Sequence, residues 1–345
     1  MKNRTRLFFG IAVGVLVLGL GTGLLASYVG QNFTLIGGNG PDSLSYVPAD
    51  ARMVAFADIR DLANSELRQK MRQFEPSTDT RNKLEAETGI DIERDVDEIV
   101  AAAWPGGVSP QSPPLILARG KFDSDNIETL LRQHGATVEN YKGKQLFVIA
   151  DSSHTFAVSF VEDGLVAAGA AAAVRQAIDT KASGTNSVTN NAEVMKLIKD
   201  VDDGNAWAVA KFDSLAAGPF PISGLPKELA QQLPPINWVA ASGHIDSGVR
   251  ATVRVEAKDD KSAEDLRQVV RGFMALARLQ AGQRAEFTDL VNSLELGGQG
   301  TTITFGFSVP ASLIDTLGHL AEQRRQVAPA PAVPEPAPAP SAPSL

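Results

Sequence analysis

Residues 7–41 contain no charged side chain, and within them residues 7–29 read LFFGIAVGVLVLGLGTGLLASYV. At 1.5 Å per residue such a helix reaches about 34 Å, slightly more than the ~30 Å hydrocarbon core of a bilayer. Leu, Ile, Val and Phe dominate the segment, and each favours insertion by roughly 0.3–0.6 kcal/mol at mid-membrane, so insertion is expected to be favourable despite the interspersed glycines. Lys2, Arg4 and Arg6 precede the segment and no positive charge follows until Arg52. The positive-inside rule then puts residues 1–6 in the cytoplasm and the bulk of the chain outside it. A cleaved leader would have a 7–15-residue apolar region ending at an Ala-x-Ala-like site, from which Leu25-Ala26-Ser27 departs, so the reading is a retained single-pass anchor. Gly10, Gly14, Gly19 and Gly23 form two small-xxx-small steps that would let a pair of such helices dimerise weakly.

The remainder is large enough for one big domain or two ordinary ones. With 21% charged and 43% hydrophobic residues in 345, it has the balance of a folding chain. The net charge is −8 and all of the excess lies beyond the three leading cations, which argues against nucleic acid as a partner. The sequence has no cysteine, which excludes disulfides, thiolate metal ligands, a cysteine nucleophile and a lipidated cysteine.

Residues 30–45, with Gly37, Gly38, Gly40 and Pro41, read as a flexible stalk. Alternation then marks strands at 53–57, 156–160, 249–257 and 303–309; in the third, Val249, Ala251, Val253 and Val255 alternate with Arg250, Thr252, Arg254 and Glu256. Half-solvated strands of this kind belong to antiparallel sheets. Three-and-four spacing predicts helices over 64–73, 124–134, 171–181, 192–200, 262–280 and 311–323. The class is therefore α+β, antiparallel sheets with helices on one face. Segments 54–58, 100–104 and 115–122 match 207–211, 238–242 and 249–257 in pattern, which suggests two pseudo-repeated halves, 46–183 and 184–325. Residues 326–345 read QVAPAPAVPEPAPAPSAPSL, a Pro/Ala-rich tail expected to be disordered and extended.

Chemistry is harder to find. His134, His154, His244 and His319 are too scattered for a two-ligand helix face, and His134 before Gly135 reads as a helix cap. Asp91, Glu93, Asp95, Asp97 and Glu98 lack the glycine of a calcium loop and contain Arg94, so they read as a solvated helix start. Asp202-Asp203-Gly204-Asn205 reads as a turn. Trp104, Trp207 and Trp238 lie in apolar strands and are expected to fill the core. No nucleophile elbow or phosphate loop is present, so no catalytic residue, cofactor or metal is assigned.

The run Val47-Pro-Ala-Asp50, an apolar strand at 53–57, Asp58-Ile-Arg-Asp-Leu62, and then Thr88-Gly-Ile-Asp91 resembles uncharacterised signal-anchored envelope proteins of bacteria, in which a Pro-Ala-Asp start introduces duplicated α+β units. The resemblance implies architecture and location, an inner-membrane protein with a periplasmic or extracellular ectodomain, and transfers no site. The sequence reading is a non-enzymatic binding or scaffolding protein with an envelope partner; a hydrolase whose site converges only on folding, and a lipid carrier with an apolar groove between the halves, stand as alternatives.

Overall fold

A computed structural model describes residues 41–71, 91–104, 113–150, 155–201, 203–212, 233–281, 288–310 and 312–313. The expected anchor, most of the stalk, the Pro-rich tail and nearly all of the helix expected over 311–323 lie outside the described residues. Among the described residues no helix is long and apolar enough to cross a membrane.

Among the described residues twelve strands form one continuous sheet. In chain order they are β1 (Met53–Asp58), β2 (Val96–Ala103), β3 (Leu115–Gly120), β4 (Thr137–Tyr141), β5 (Lys144–Ala150), β6 (Thr155–Glu162), β7 (Leu165–Ala170), β8 (Ala206–Lys211), β9 (Ile236–Ile245), β10 (Val249–Ala257), β11 (Glu295–Gly297) and β12 (Thr302–Val309). Their spatial order is β11-β12-β10-β9-β8-β1-β2-β3-β7-β6-β5-β4, and every pairing is antiparallel. The expected halves thus share one sheet, joined where β1 pairs β8 with Ala55 opposite Ala208.

Among the described residues the helices are α1 (Ile59–Asn64), α2 (Glu66–Met71), α3 (Ile92–Asp95), α4 (Ser124–Gln133), α5 (Ala171–Ser183), α6 (Ala192–Lys199), α7 (Asp260–Ala281) and α8 (Thr288–Asn292). Capping explains most starts: Asp58, Asp123 and Asn191 accept from the backbone N–H of Asp61, Asn126 and Val194, and Asp259 accepts from that of Ser262. The helix expected over 64–73 is instead two short ones, because the Ser65 backbone is extended (ψ 139) and its hydroxyl starts α2 by accepting from the Arg68 N–H.

Helices cover both faces, not one. Successive residues of a strand point to opposite sides. On one side Val54, Phe56, Val100, Leu117, Ala167, Trp207 and Val209 pack with Val174, Ala177 and Ile178 of α5 and Leu197 and Ile198 of α6, and all are essentially dry. Trp207 stacks on Phe56 at 5.6 Å between ring centroids. Each side chain so buried contributes roughly 1.5–3 kcal/mol. On the other side α1 covers Ala57 and Ala206, and α7 covers Ala257 and Ile303. The wet side of β10 is as expected, with Arg250 exposed and Arg254 paired to Asp200 and Glu256.

Within the expected stalk a 3₁₀ turn, Asp42–Tyr46, buries Ser43, Leu44 and Tyr46. The Pro-Ala-Asp segment fastens that start to the loop after α5. Ala49 N–H donates to the Asn186 carbonyl, Asn191 Nδ2 donates to the Ala49 carbonyl, and Asp50 accepts from Trp104 Nε1.

Candidate binding face

The residues singled out for chemistry are mostly spent on structure. His134 caps α4, its Nδ1 lying 2.8 Å from the Leu130 carbonyl. His244 sits opposite Arg250 in the β9–β10 ladder; His154 and His319 lie outside the described residues. Asp202 does too, and the turn beside it positions Asn205, buried to 5%, which donates to Asp61 and to the Ile245 carbonyl and accepts from the Ile245 N–H. Trp207 and Trp238 are buried as expected, with Trp238 Nε1 donating to Glu193, whereas Trp104 is only half-buried at the rim.

The acidic run does start a helix, since Asp91 caps α3, but it is not solvated throughout. Glu93 is buried against Arg68 in a bidentate contact with Oε1 at 3.1 and 2.6 Å, and Asp97 pairs with Arg60. Glu98 belongs to a row of charges at one end of the dry face. The β ladder sets Asp58 opposite Glu98 and Glu98 opposite Arg119, and Glu162 is held by the Tyr46 hydroxyl and Lys181. Burial pushes Asp58 up to about 6 and raises Glu98 as well, although Arg119 and Ser43 oppose the latter. Burial also lifts the Tyr46 hydroxyl, helped by Glu162. Glu162 itself is lowered: burial opposes the shift, but Tyr46, Lys181 and Arg119 outweigh it. Every member of this row has a partner within the fold, so it reads as a cross-strand brace. Among the described residues no group of three His, Cys, Asp or Glu could hold a metal.

The opposite face of the sheet differs. The side chains that share the side of Ala55 follow from register: Val158, Ala168, Ile116, Ala101, Ala55, Ala208, Ala241 and Val253 form one row across eight adjacent strands. At all positions of β1, β3, β6, β7 and β8 on this side, and over 99–103 of β2 and 239–245 of β9, the residue is Ala, Gly, Val, Ile, Phe or Met. No side-chain donor, acceptor or charge interrupts that floor. Among the described residues the helices on this side are α4 over β5, α7 over β10 to β12, and α1 at one end, and Ala55, Ala57, Ala101, Ala103, Ala206 and Ala210 at the seam are at most 8% exposed. Ile116, Val158, Phe160, Val166, Ala168 and Ala208 are left half-buried.

The two flanking helices are themselves incompletely covered. In α4 Ile127, Leu130 and Leu131 form an apolar stripe none of which is fully buried. In α7 Ala263, Leu266 and Met274 face the sheet, while Val269, Leu276 and Leu279 are 37, 46 and 72% exposed. Arg267 of α7 donates to the Gly300 and Thr302 carbonyls at the outer hairpin. At 100° per residue Leu276 and Leu279 lie about 130° and about 170° from the Ala263, Leu266 and Met274 face, turned away from the sheet. The result is an uncharged, half-buried trench over β3, β7 and β6, with α4 along one side. Sequence reasoning missed it, although the alternation of Phe156, Val158 and Phe160 was its visible signal.

No curated protein matches the chain. Among solved structures, crystal forms III and I of TP0453 resemble it with TM-scores of 0.46 and 0.44 at 9% identity, covering 81% and 82% of this chain and 99% of that one. A family model described as a protein of unknown function, DUF3352, matches residues 10–275, and the chain belongs to that family.

Proposed function

We propose that this chain is a non-enzymatic binding protein held on the outer side of the cytoplasmic membrane by residues 7–29, and that the trench is its binding surface. The observation that carries the reading is the uncharged floor left half-buried over β3, β7 and β6. Apolar area of that extent on a folded protein marks an interaction site more often than not. The charge-free segment behind Lys2, Arg4 and Arg6 supports the placement.

We also read the sheet as two related units, β1 to β7 and β8 to β12. In support, the matched sequence segments fall in β1 and β8, β2 and β9, and β3 and β10, which occupy equivalent positions on either side of the seam. Ala55 pairs with Ala208, its own counterpart in the sequence match, as a two-fold axis between two copies requires.

The test is a photoreactive phenylalanine derivative placed at Ile116 on the floor, or at Thr252 on the opposite side of the sheet, in the full-length chain in intact cells. A light-dependent adduct from position 116 and none from 252 is expected. No adduct at 116, or equal adducts at both, would overturn the reading.

A further inference from the structure

We propose that the outward face of α7, with Val269, Leu276 and Leu279 in line and Arg271 and Arg278 on its flank, seats on an anionic lipid bilayer. This is a second surface, on the other wing of the sheet from the trench over β3, β7 and β6, and it uses none of that trench's residues. It takes its lipid source from the membrane placement proposed above.

Four large apolar side chains are exposed among the described residues, and three of them, Val269, Leu276 and Leu279, belong to this helix; the other is Val138. At 100° per residue the three fall within about 80° of one another, on the side of α7 away from Ala263, Leu266 and Met274. Their exposure rises along the helix, at 37, 46 and 72%. The same line is polar at its N-terminal end, where Lys261 pairs with Asp265 at 2.7 Å. One stripe of α7 thus packs on the sheet while the other is bare, and most so toward the C-terminal end.

Charge selects the occupant. The chain as a whole carries −8, yet the acids of α7 are confined to its first turns, at Asp260, Glu264 and Asp265. Over 266–281 the helix has Arg267, Arg271 and Arg278 and no acid. Arg267 is turned inward to the Gly300 and Thr302 carbonyls. Arg271, which reaches back to Glu264 at 3.3 Å, and Arg278 are exposed. They stand about 80° and about 100° round the helix from Leu279. Cations beside exposed leucines suit an anionic interface: the apolar side chains enter the acyl boundary while the guanidinium groups stay level with the phosphates.

Area argues against a protein on this face, a second copy included. From Val269 to Leu279 the ridge is about 15 Å long and one helix, ~10 Å, wide, on the order of 150 Å² against the ~800 Å² per partner of a stable protein interface. A bilayer demands no matching shape and takes up each apolar side chain separately.

The sequence has no cysteine, so a single introduced one can carry an environment-sensitive nitrobenzoxadiazole label. Leu279→Cys, Leu276→Cys and, on the edge strand β4 at the far end of the sheet, Asn140→Cys all replace exposed residues. Each is labelled in the full-length chain reconstituted into phosphatidylcholine vesicles with or without phosphatidylglycerol. A blue shift and a gain of emission are expected at 279 and 276 with phosphatidylglycerol present, and neither at 140 nor in phosphatidylcholine alone. Arg271→Gln with Arg278→Gln should lower the docked-to-free ratio about 30-fold, at roughly five-fold per cation. No shift at 279, an equal shift at 140, or a shift indifferent to phosphatidylglycerol or to the two arginines would overturn the proposal. So would a shift that appears in detergent micelles and grows with protein concentration, which would put a second copy on this face. A chain that stays outside the bilayer would overturn anchoring by residues 7–29 and not this face: its label, read on added vesicles of the same two compositions, decides as before.

Discussion

Asp58 ends β1 and caps α1, with Oδ1 accepting the Asp61 N–H at 2.9 Å, and it faces Glu98 across the ladder. Burial raises its carboxyl from 3.8 to about 6. The fold therefore prefers the neutral acid, and ionising it costs stability. A shift of about 2 units at ~1.36 kcal/mol each makes that cost about 3 kcal/mol once the group is fully ionised. The sign follows: stability from this group is fully present below pH 3.8 and is lost as pH rises through about 6. Asp95, Glu139, Glu162, Asp179 and Asp259 are shifted downward, so their contribution is lost only as pH falls below the ordinary carboxylate range. Between about pH 4.5 and 7.5 the Asp58 effect dominates, with Glu98 adding in the same direction, and about 2 kcal/mol of it should be recovered on acidification. Asp58→Asn keeps the capping oxygen and removes the ionisation. Urea unfolding of the full-length chain in micelles, followed by fluorescence of the buried tryptophans, should show the variant more stable than the parent by up to about 3 kcal/mol at about pH 7.5, with a flatter pH dependence. A variant less stable than the parent there, or with the parent's slope intact, would refute the reasoning.

The Arg68–Glu93 pair, each side chain 5% exposed, should behave as a buried unit. Arg68→Met alone should cost about 3–5 kcal/mol by stranding Glu93, and adding Glu93→Met should restore most of it, as read from a double-mutant cycle in urea. Two glycines should respond in opposite directions. Gly169 has φ +147° and an added Cβ would lie 2.3 Å from the Pro114 carbonyl oxygen, so Gly169→Ala should lower stability by about 1–3 kcal/mol; Gly272, on α7 with nothing within 4 Å, should gain about 0.5–1 kcal/mol as Ala. Equal effects at both positions would contradict the steric argument.

Helices were legible wherever a cap and a stripe coincided: Asp123, Asn191 and Asp259 precede α4, α6 and α7 within a residue or two of the expected starts. Strands were legible where one side is wet, as in β10 and β12. Those strands lie at the outer wing, and they misled the reading of the layers. β1 is buried on both sides because Val54 and Phe56 alternate with alanines, a pattern with no polar residue to mark which side needs cover. The hairpin joining β4 and β5 escaped as well: it turns through Lys142 (φ +49°) and Gly143 (φ +80°), with exposed residues along most of β4 that conceal the strand period. The burial of Glu93 could not be read locally, since its partner Arg68 is 25 residues distant.

The two sides of the central strands differ in the volume of their side chains. On the dry side the central strands carry Val54, Phe56, Val100, Leu117, Trp207 and Val209, residues that fill volume. On the other side the same strands carry Ala55, Ala57, Ala101, Ala103, Ala206, Ala208 and Ala210. Backbone propensity does not ask for this, because alanine is disfavoured in strands relative to valine or isoleucine. Stability does not ask for it either: each added methylene buried against a neighbour would contribute about 0.8 kcal/mol. The alanines at the seam are nonetheless covered: Ala55, Ala57, Ala101, Ala103, Ala206 and Ala210 are at most 8% exposed, and of the seven Ala208 alone is half-buried. Small side chains where β1 meets β8 admit a close approach, as α1 makes over Ala57 and Ala206, and the apolar positions left half-buried lie further along the sheet, at Ile116, Val158, Phe160, Val166 and Ala168.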